Sequence, residues 1–371
     1  MNLTENLAHI AQQNAGKAEA LPFHYYHDPR MLEAEQQHVF SDDWVFCCTE
    51  ADIPRAGDYL TLTIANEPIA VLRGQDGSLR ALSNVCRHRG AVLLTGAGNT
   101  DRLRCPFHAW TYADDGQLMA IPFDVDKRVS KEEHCLPSFN IESWLGLVFV
   151  SLNPAAPPPA ERFGGLEQYY ARYQIETFSH ASPIEVQHWQ ANWKVVLANF
   201  VEGYHFFAVH ENSVEPAAPT RDCFYVDGGK DWSVTGGKQL GDPESLADWL
   251  LGKAAESQFL SICMPPNFVC NLYEGYLTWA RVLPAGPDSC EVVTGTISAV
   301  AFEESRAERA IYEKIFDEDR AICERVQRGV RSSHSRGGVL VDMERAVVDF
   351  HQYWAHQLSK PKASGRLQTG L

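Results

Sequence analysis

Two short stretches, "NVCRHRG" beginning at Asn84 and "CPFHAW" beginning at Cys105, each offer one thiolate and one imidazole. Cys86 and His88 are two apart, Cys105 and His108 are three apart, and sixteen residues separate His88 from Cys105. Two chemistries use this set. A single tetrahedral zinc takes four Cys/His ligands. A [2Fe–2S] cluster can take two cysteines on one iron and two histidines on the other, and imidazole in place of thiolate raises its reduction potential, so it accepts electrons readily. Gly90 and Pro106 are turn residues, which places both pairs in loops. Two adjacent loops can grip both irons at once, and the paired spacing favours the cluster, with zinc the alternative.

An electron carrier requires something to reduce, and a second set of ligand-type residues lies further on. His205 and His210, in "NWKVVLANFVEGYHFFAVH", are five apart. On an ideal helix that spacing turns two side chains ~140° from one another, so one metal takes both only if the helix bends or bulges. Two histidines with one carboxylate form the facial triad of non-haem Fe(II) oxygenases, which leaves positions open for O2 and substrate. The carboxylate is sought on "IYEKIFDEDRAICERVQRGV", where Ile311, Ile315, Ile322 and Val326 form an apolar stripe with Cys323 beside it. Asp319 falls in that stripe; Asp317, Glu318 and Glu324 lie off its centre. A carboxylate facing a core is costly unless paired or bound to metal. Asp319 is therefore the expected third ligand, with a hydrogen-bonded buried acid the alternative. Glu202 stands three before His205 and is expected on the same helix face. His351 and His356 repeat the five-residue spacing, but position 348 is Val, so no acid precedes them. With Phe350, Tyr353 and Trp354 nearby they read as structural or surface residues of a packed helix, and His24, His27 and His38 as N-terminal loop and helix residues.

Patterning indicates the elements that must hold these side chains. "HDPRMLEAEQQHVFSDDW" predicts a helix from about Pro29 to Phe40, with proline in the first turn. From Trp44 to about Leu152, alternating runs such as "YLTLTIANEPIAVLRG" and "LGLVFVSL" are broken by Gly, Asp, Asn and Pro, which reads as antiparallel β. The proline-rich 153–165 stretch marks a boundary. Beyond it, 183–190 and 260–300 read as strands, and 191–210, 303–330 and 341–357 as helices. The 371 residues suit two domains, so the expected class is α+β in two units. The net charge of -16 argues against nucleic acid, which needs a basic surface. No stretch reaches the ~18 apolar residues of a membrane span, and the N-terminus lacks a secretory pattern. A cytoplasmic location without membrane association is expected, and the ten cysteines are expected as free thiols or ligands.

In combination, "CRHRG", "CPFHAW", the Glu202/His205/His210 set and Asp319 ahead of "VQRG" resemble the Rieske ring-hydroxylating oxygenases. The resemblance is to the alpha (terminal oxygenase) subunit, in particular of the carnitine, choline and glycine betaine monooxygenase type, which carries Glu at the position of Glu202 where many aromatic-ring hydroxylases carry Asp. It runs over nearly the whole chain. It implies an N-terminal Rieske [2Fe–2S] antiparallel β domain and a C-terminal helix-grip (START-like) catalytic domain whose sheet curves around a long helix. Residues 1–43 would be a helical lead-in packed on the catalytic domain, 44–157 the Rieske domain and 158–371 the catalytic domain. Cys86, His88, Cys105 and His108 would hold the cluster, and His205, His210 and Asp319 a mononuclear Fe(II). Glu202 would join the two sites, bonding a cluster histidine of a neighbouring subunit and one iron-binding histidine, in a homotrimer of alpha subunits. Electrons would come from NAD(P)H through a separate flavin and iron–sulfur reductase, since no Gly-rich nucleotide-binding motif lies in this chain.

The implied activity is O2-dependent hydroxylation of a small organic substrate. An N-methyl or quaternary ammonium compound fits the Glu202 branch, with Tyr204, Phe206, Phe207 and Trp279 offering aromatic faces to a cation. Hydroxylation or dihydroxylation of an aromatic acid ring is the alternative within the enzyme class. A zinc-stabilised binding protein without redox activity is the alternative from another class.

Overall fold

A computed structural model describes residues 3–126, 128–240, 256–301 and 306–360. Between Val45 and Ser151 the alternation expected from the sequence is realised: along Asp58–Ile64 every second side chain is buried, the period-2 pattern of a sheet with one covered face. The strands are β1 (Val45–Thr49), β2 (Asp58–Ile64), β3 (Glu67–Arg73), β4 (Leu79–Ser83), β5 (Ala97–Asn99), β6 (Leu103–Arg104), β7 (Thr111–Tyr112), β8 (Leu118–Ala120), β9 (Ser138–Trp144) and β10 (Leu147–Ser151). One sheet runs in the order β1-β10-β9-β4-β3-β2-β5, and β6-β7-β8 form a smaller one. The "CRHRG" loop follows β4 and the "CPFHAW" loop joins β6 to β7. Leu72, Leu82, Leu103, Tyr112 and Leu136 pack around Cys86 and Cys105, so both sulfurs belong to a small apolar core.

The second sheet comprises β11 (His180–Ala181), β12 (Glu185–Trp189), β13 (Phe224–Gly228), β14 (Ser233–Leu240), β15 (Glu256–Met264), β16 (Phe268–Tyr273), β17 (Tyr276–Gly286) and β18 (Ser289–Ser298). Its order is β11-β18-β17-β16-β15-β14-β13, with β12 also paired to β18, and all of these pairings are antiparallel. β13 and β14 are absent from the sequence reading, because the glycines of "DGGKDWSVTGGK" mask the alternation. The helices that matter are α1 (Leu3–Ala11), α2 (Pro29–Glu35), α3 (Trp193–Phe200), α4 (Phe206–Val209), α5 (Arg306–Gly329) and α6 (Arg345–Ser359). Asp28 caps α2 by accepting from the Arg30 N–H, and a π-turn over Gln36–Phe40 extends it to the expected end. The helix predicted over 303–330 begins at Arg306, with 302–305 outside the described residues. α3 packs on α5 and on β17 and β18.

Two expectations are corrected. The helix expected over 191–210 is broken into α3 and α4. Gly203 passes so close to Cys223 that a β-carbon there would sit 2.6 Å from its sulfur. The Glu202 carboxylate takes the backbone N–H groups of Tyr204 and His205, competing with helical bonding. Glu202 and His205 therefore meet across a turn, not along a helix face. On α5 the buried face runs through Asp319, Cys323 and Gln327, while Ile311 and Val326 are exposed. The apolar stripe is rotated from the one read in the sequence, yet Asp319 remains on the buried side.

Lys194 and Glu35 anchor the start of α3. Both side chains are fully buried and stand 2.5 Å apart. The Glu35 oxygens also accept from the indole N–H groups of Trp193 and Trp354, each at 2.8 Å. The Lys194 ammonium lies over the rings of Tyr26, Trp193 and Trp354. Burial pulls the Lys194 pKa down and Glu35 opposes the fall. Asn192 caps α3 by accepting from the Lys194 N–H at 3.0 Å, and its own N–H bonds the Gln327 side chain of α5 at 2.9 Å. His351 is buried in α6, held neutral by burial with a pKa of about 3, and His356 is exposed, in line with the reading of both as structural or surface residues.

Glu35→Ala should lower stability by about 3–5 kcal/mol, because it strands a buried ammonium. Its folded form then binds that proton less readily than the unfolded chain, whose lysines titrate near ~10.4. Stability therefore rises with pH, and the deficit should narrow towards pH ~10. Denaturant unfolding at several pH values measures this, and an unchanged midpoint would contradict the anchoring role.

Candidate metal centres

The two Cys/His loops are built on one backbone frame. Cys86 N–H bonds the Ala91 carbonyl at 2.8 Å and Gly90 N–H bonds the Cys86 carbonyl at 3.0 Å; Cys105 N–H bonds Trp110 at 2.8 Å and Ala109 N–H bonds Cys105 at 3.0 Å. The reversal needs a left-handed residue at the same point of each turn, Gly90 at φ 75° and Ala109 at φ 58°. The histidines sit one position apart within this frame, yet their rings come to 4.7 Å. His88 stacks on the buried Trp110 ring at 4.8 Å. Both imidazoles are exposed, whereas Cys86 and Cys105 are buried.

The chemistry of these donors fits a two-metal cluster. Burial pushes the Cys105 thiol up, but the backbone N–H groups of His108 and Phe107 outweigh it and hold the pKa below the usual value, favouring thiolate. Desolvation, helped by nearby His108 and Arg89, lowers the His88 pKa and favours the neutral imidazole that binds metal. Tyr112 Oη accepts from the Arg87 N–H at 3.0 Å and lies 3.4 Å from Cys86 Sγ, placed to donate to a bound sulfur. One tetrahedral zinc needs all its ligand atoms within about 4 Å of each other, given bonds of about 2.0–2.3 Å. Among the described residues, His205, His210 and Asp319 are the one group of three or more such side chains whose ligand atoms all lie within 4.8 Å. The four loop residues do not converge in that way, which suits two metals and not one.

His205 and His210 flank the single turn of α4, and their rings stand 5.1 Å apart. The five-residue spacing is thus reconciled by a helix break before His205 and the single turn of α4 between the two histidines. Asp319, 5% exposed, reaches them from α5. Its Oδ1 is 3.5 Å from His205 Nε2 and 3.1 Å from His210 Nε2, and it accepts from the Asn199 amide at 2.7 Å. Behind the rings, Glu202 Oε1 lies 2.7 Å from His205 Nδ1 and Glu318 Oε2 lies 2.8 Å from His210 Nδ1. Carboxylates on Nδ1 turn both Nε2 atoms inward, the usual backing of a metal-binding histidine. Burial pulls the His205 pKa down, but Asp319 and Glu202 outweigh it and raise it to about 9. Burial pushes Asp319 up, but its bonds to His205 and His210 keep it below the usual carboxylate value. Two imidazoles and one carboxylate converging at this spacing fit one metal ion, which would replace the shared protons.

The triad lines a cavity of about 530 Å³ between the second sheet, α4 and α5. Of the four aromatic candidates, Phe206 lines it with its ring, Trp279 packs on Phe46 at 5.2 Å in the core behind the sheet, and Tyr204 and Phe207 are exposed with their rings 5.8 Å apart. Tyr225, Phe259, Tyr273 and Tyr276 line it too. The sequence reading missed these because β13 and β14 carried no signal and a cavity-facing tyrosine looks like a core tyrosine. It set Glu318 aside as off the stripe, and Tyr112 and Asn199 have no motif of their own.

Residues 43–139 match the model of the Rieske [2Fe-2S] domain, and residues 167–360 that of the ring hydroxylating alpha subunit (catalytic domain). A glycine betaine monooxygenase oxygenase subunit of Chromohalobacter salexigens is 28% identical over 91% of this chain and 85% of its own. The alpha subunit of toluate 1,2-dioxygenase of Pseudomonas putida is 27% identical over 90% of this chain and 89% of its own. The crystal structure of a quaternary ammonium Rieske monooxygenase superposes with a TM-score of 0.82 at 22% identity, covering 95% of this chain and 98% of that one. These matches set aside the reading of a zinc-stabilised binding protein.

His108→Ala should abolish the cluster's absorption and paramagnetic signal, whereas Asp319→Ala should keep both and lose only the mononuclear metal, because separate segments supply the two sites. Metal analysis with electron paramagnetic resonance checks this. Retention of that metal in Asp319→Ala would move the ligand elsewhere on α5.

Proposed function

The chain belongs to the family of ring-hydroxylating alpha subunits with a Rieske [2Fe–2S] domain, and from that premise we propose that it is the oxygenase component that hydroxylates a small N-methyl or quaternary ammonium compound. The family's members are O2-dependent oxidoreductases with a Rieske cluster and a mononuclear iron. Cys86, His88, Cys105 and His108 would hold the cluster, and His205, His210 and Asp319 the mononuclear iron. When bound, the cluster supplies single electrons and the iron supplies O2 activation.

One observation carries the substrate class: the triad opens onto a cavity whose charged lining is mostly acidic and whose walls are aromatic. Glu185, Glu202, Asp319 and Asp342 line it. Arg309, on the same wall, is held 2.7 Å from Glu185 and 3.2 Å from Glu313. Glu185 and Arg309 offset one another and Asp319 is shared by His205 and His210, so the aromatic faces carry the preference for a cation over a carboxylate. Phe206 would contact the methyl groups, while the enclosing sheet limits water around the reacting carbon. His205 and His210 donate their Nδ1–H groups to Glu202 and Glu318, which holds both rings in orientation. The sequence similarity to both a glycine betaine monooxygenase subunit and an aromatic dioxygenase subunit keeps ring hydroxylation as the second reading.

Glu202 is assigned the joining role between chains. Its side chain is partly exposed while holding His205, and the exposed imidazoles of His88 and His108 are the complementary donors. A head-to-tail homotrimer would bring one chain's cluster to the next chain's Glu202. A separate flavin and iron–sulfur reductase, drawing on NAD(P)H, would supply electrons in the cytoplasm; none of the described helices is long and apolar enough to cross a membrane. The domain division proposed is 1–43, 44–157 and 158–371, of which 361–371 lie outside the described residues.

Substrate-dependent O2 uptake with a generic reductase tests the substrate class. Carnitine, choline or glycine betaine should stimulate uptake, with formaldehyde released where an N-methyl group is lost; stimulation by benzoate-type acids alone would replace this reading with ring hydroxylation. Glu202→Gln should retain both metal centres and bind substrate, yet turn over about 10- to 100-fold more slowly, because an amide NH2 offers donors where two imidazoles need acceptors. Wild-type turnover in that variant would reduce Glu202 to a surface acid.

A further inference from the structure

His210 has its own carboxylate, and no histidine-spaced motif points to it. Glu318 Oε2 accepts from His210 Nδ1 at 2.8 Å and from the Ser213 hydroxyl at 2.5 Å. Its Oε1 stands 3.7 Å from the Lys314 ammonium, one turn earlier on α5. Lys314 in turn donates to the Asn212 backbone carbonyl at 3.1 Å. Glu318 and Lys314 thus clamp the 210–213 turn that leaves α4. The His210 side chain is 1% exposed, and its Nε2 faces Asp319 at 3.1 Å.

We infer that Glu318 is the positioning residue for His210, fixing the proton on Nδ1 so that the Nε2 lone pair faces the metal, and raising the donor strength of that ring by its charge. The inference rests on the metal-site reading above. Asp319 and Glu318 are neighbours in the chain, so one turn of α5 provides one ligand and the orientation of another. The arrangement also divides the labour between two carboxylates. Glu202 holds His205, and Glu318 holds the more deeply buried His210. A change at Glu202 therefore leaves His210 in place, which lets the Glu202–His205 pair engage a second chain without loosening His210.

The test removes the mononuclear metal with a chelator, keeps the cluster oxidised and paramagnetically silent, and titrates the protein with Co(II) alone. Binding is read by equilibrium dialysis, and the ligand field by the Co(II) paramagnetic spectrum. Glu318→Gln should bind about 10-fold more weakly and Glu318→Ala up to about 100-fold more weakly than the unmodified protein, both with an altered Co(II) spectrum. Cluster absorption and melting temperature should be retained, which a merely structural role would not give. Glu318→Gln nearly preserves volume, so it decides the matter if Glu318→Ala fails to fold. Unmodified affinity and spectrum in the variants would overturn this inference alone. Failure of the unmodified protein to bind Co(II) would overturn the metal-site reading and this inference with it.

Discussion

A carboxylate buried between two imidazoles is the constraint on which the catalytic half is organised. Asp319 is almost fully enclosed, and an isolated charge there would be strongly unfavourable. The protein surrounds it with His205, His210 and the Asn199 amide. Burial pulls the His205 pKa down, but hydrogen bonds to Asp319 and Glu202 outweigh it and raise the value to about 9. A cation at the same point would satisfy all three ligands, so the proposed iron completes the charge balance of the fold as well as its chemistry.

Such a site demands that two segments far apart in the chain be held in fixed relation. α5 presents Asp319, while the α3–α4 region presents both histidines. Gln327, two turns after Asp319, bonds the N-cap residue of α3 and, through its amide, the Tyr26 carbonyl. The Glu35–Lys194 pair fixes the same end of α3 from the N-terminal side. Rigidity is thus placed at the helix start, and the two histidines emerge where the backbone is irregular, at the 201–205 break and after the single turn of α4. The cluster site uses the opposite economy: two copies of one tight turn on paired strands, sulfurs inside and imidazoles at the surface. Exposed histidines suit an electron carrier that must meet another surface, while burying the thiolates protects them.

Much of this was legible in the sequence, for identifiable reasons. The Cys/His pairs and the His205/His210 pair are local in the chain, so spacing alone exposes them. Asp319 was reachable because a charge on a buried helix face is conspicuous, although the face itself was read with the wrong centre: Ile311 and Val326 face solvent, and Cys323 and Gln327 face inward. Branched aliphatic residues on a long surface helix are a weaker guide than the side chains that find partners. The break in the helix over 191–210 was not legible, since its causes are the approach of Gly203 to Cys223 and the capture of two N–H groups by Glu202, both tertiary or side-chain events. Glu318 and the cavity tyrosines escaped because their roles depend on which residues lie across from them, and β13 and β14 were hidden by glycines. Tyr204 and Phe207, which the sequence offers as aromatic faces for a cation, point outward around α4.

The central claim is that this chain carries two physically separate iron centres. Anomalous scattering from crystals of the protein, recorded on either side of the iron absorption edge, tests it most directly. Two closely spaced iron peaks are expected between Cys86, His88, Cys105 and His108, and a single iron peak among His205, His210 and Asp319. One zinc peak in the Cys/His loops, or no metal peak beside Asp319 in protein isolated with its metals, would contradict it.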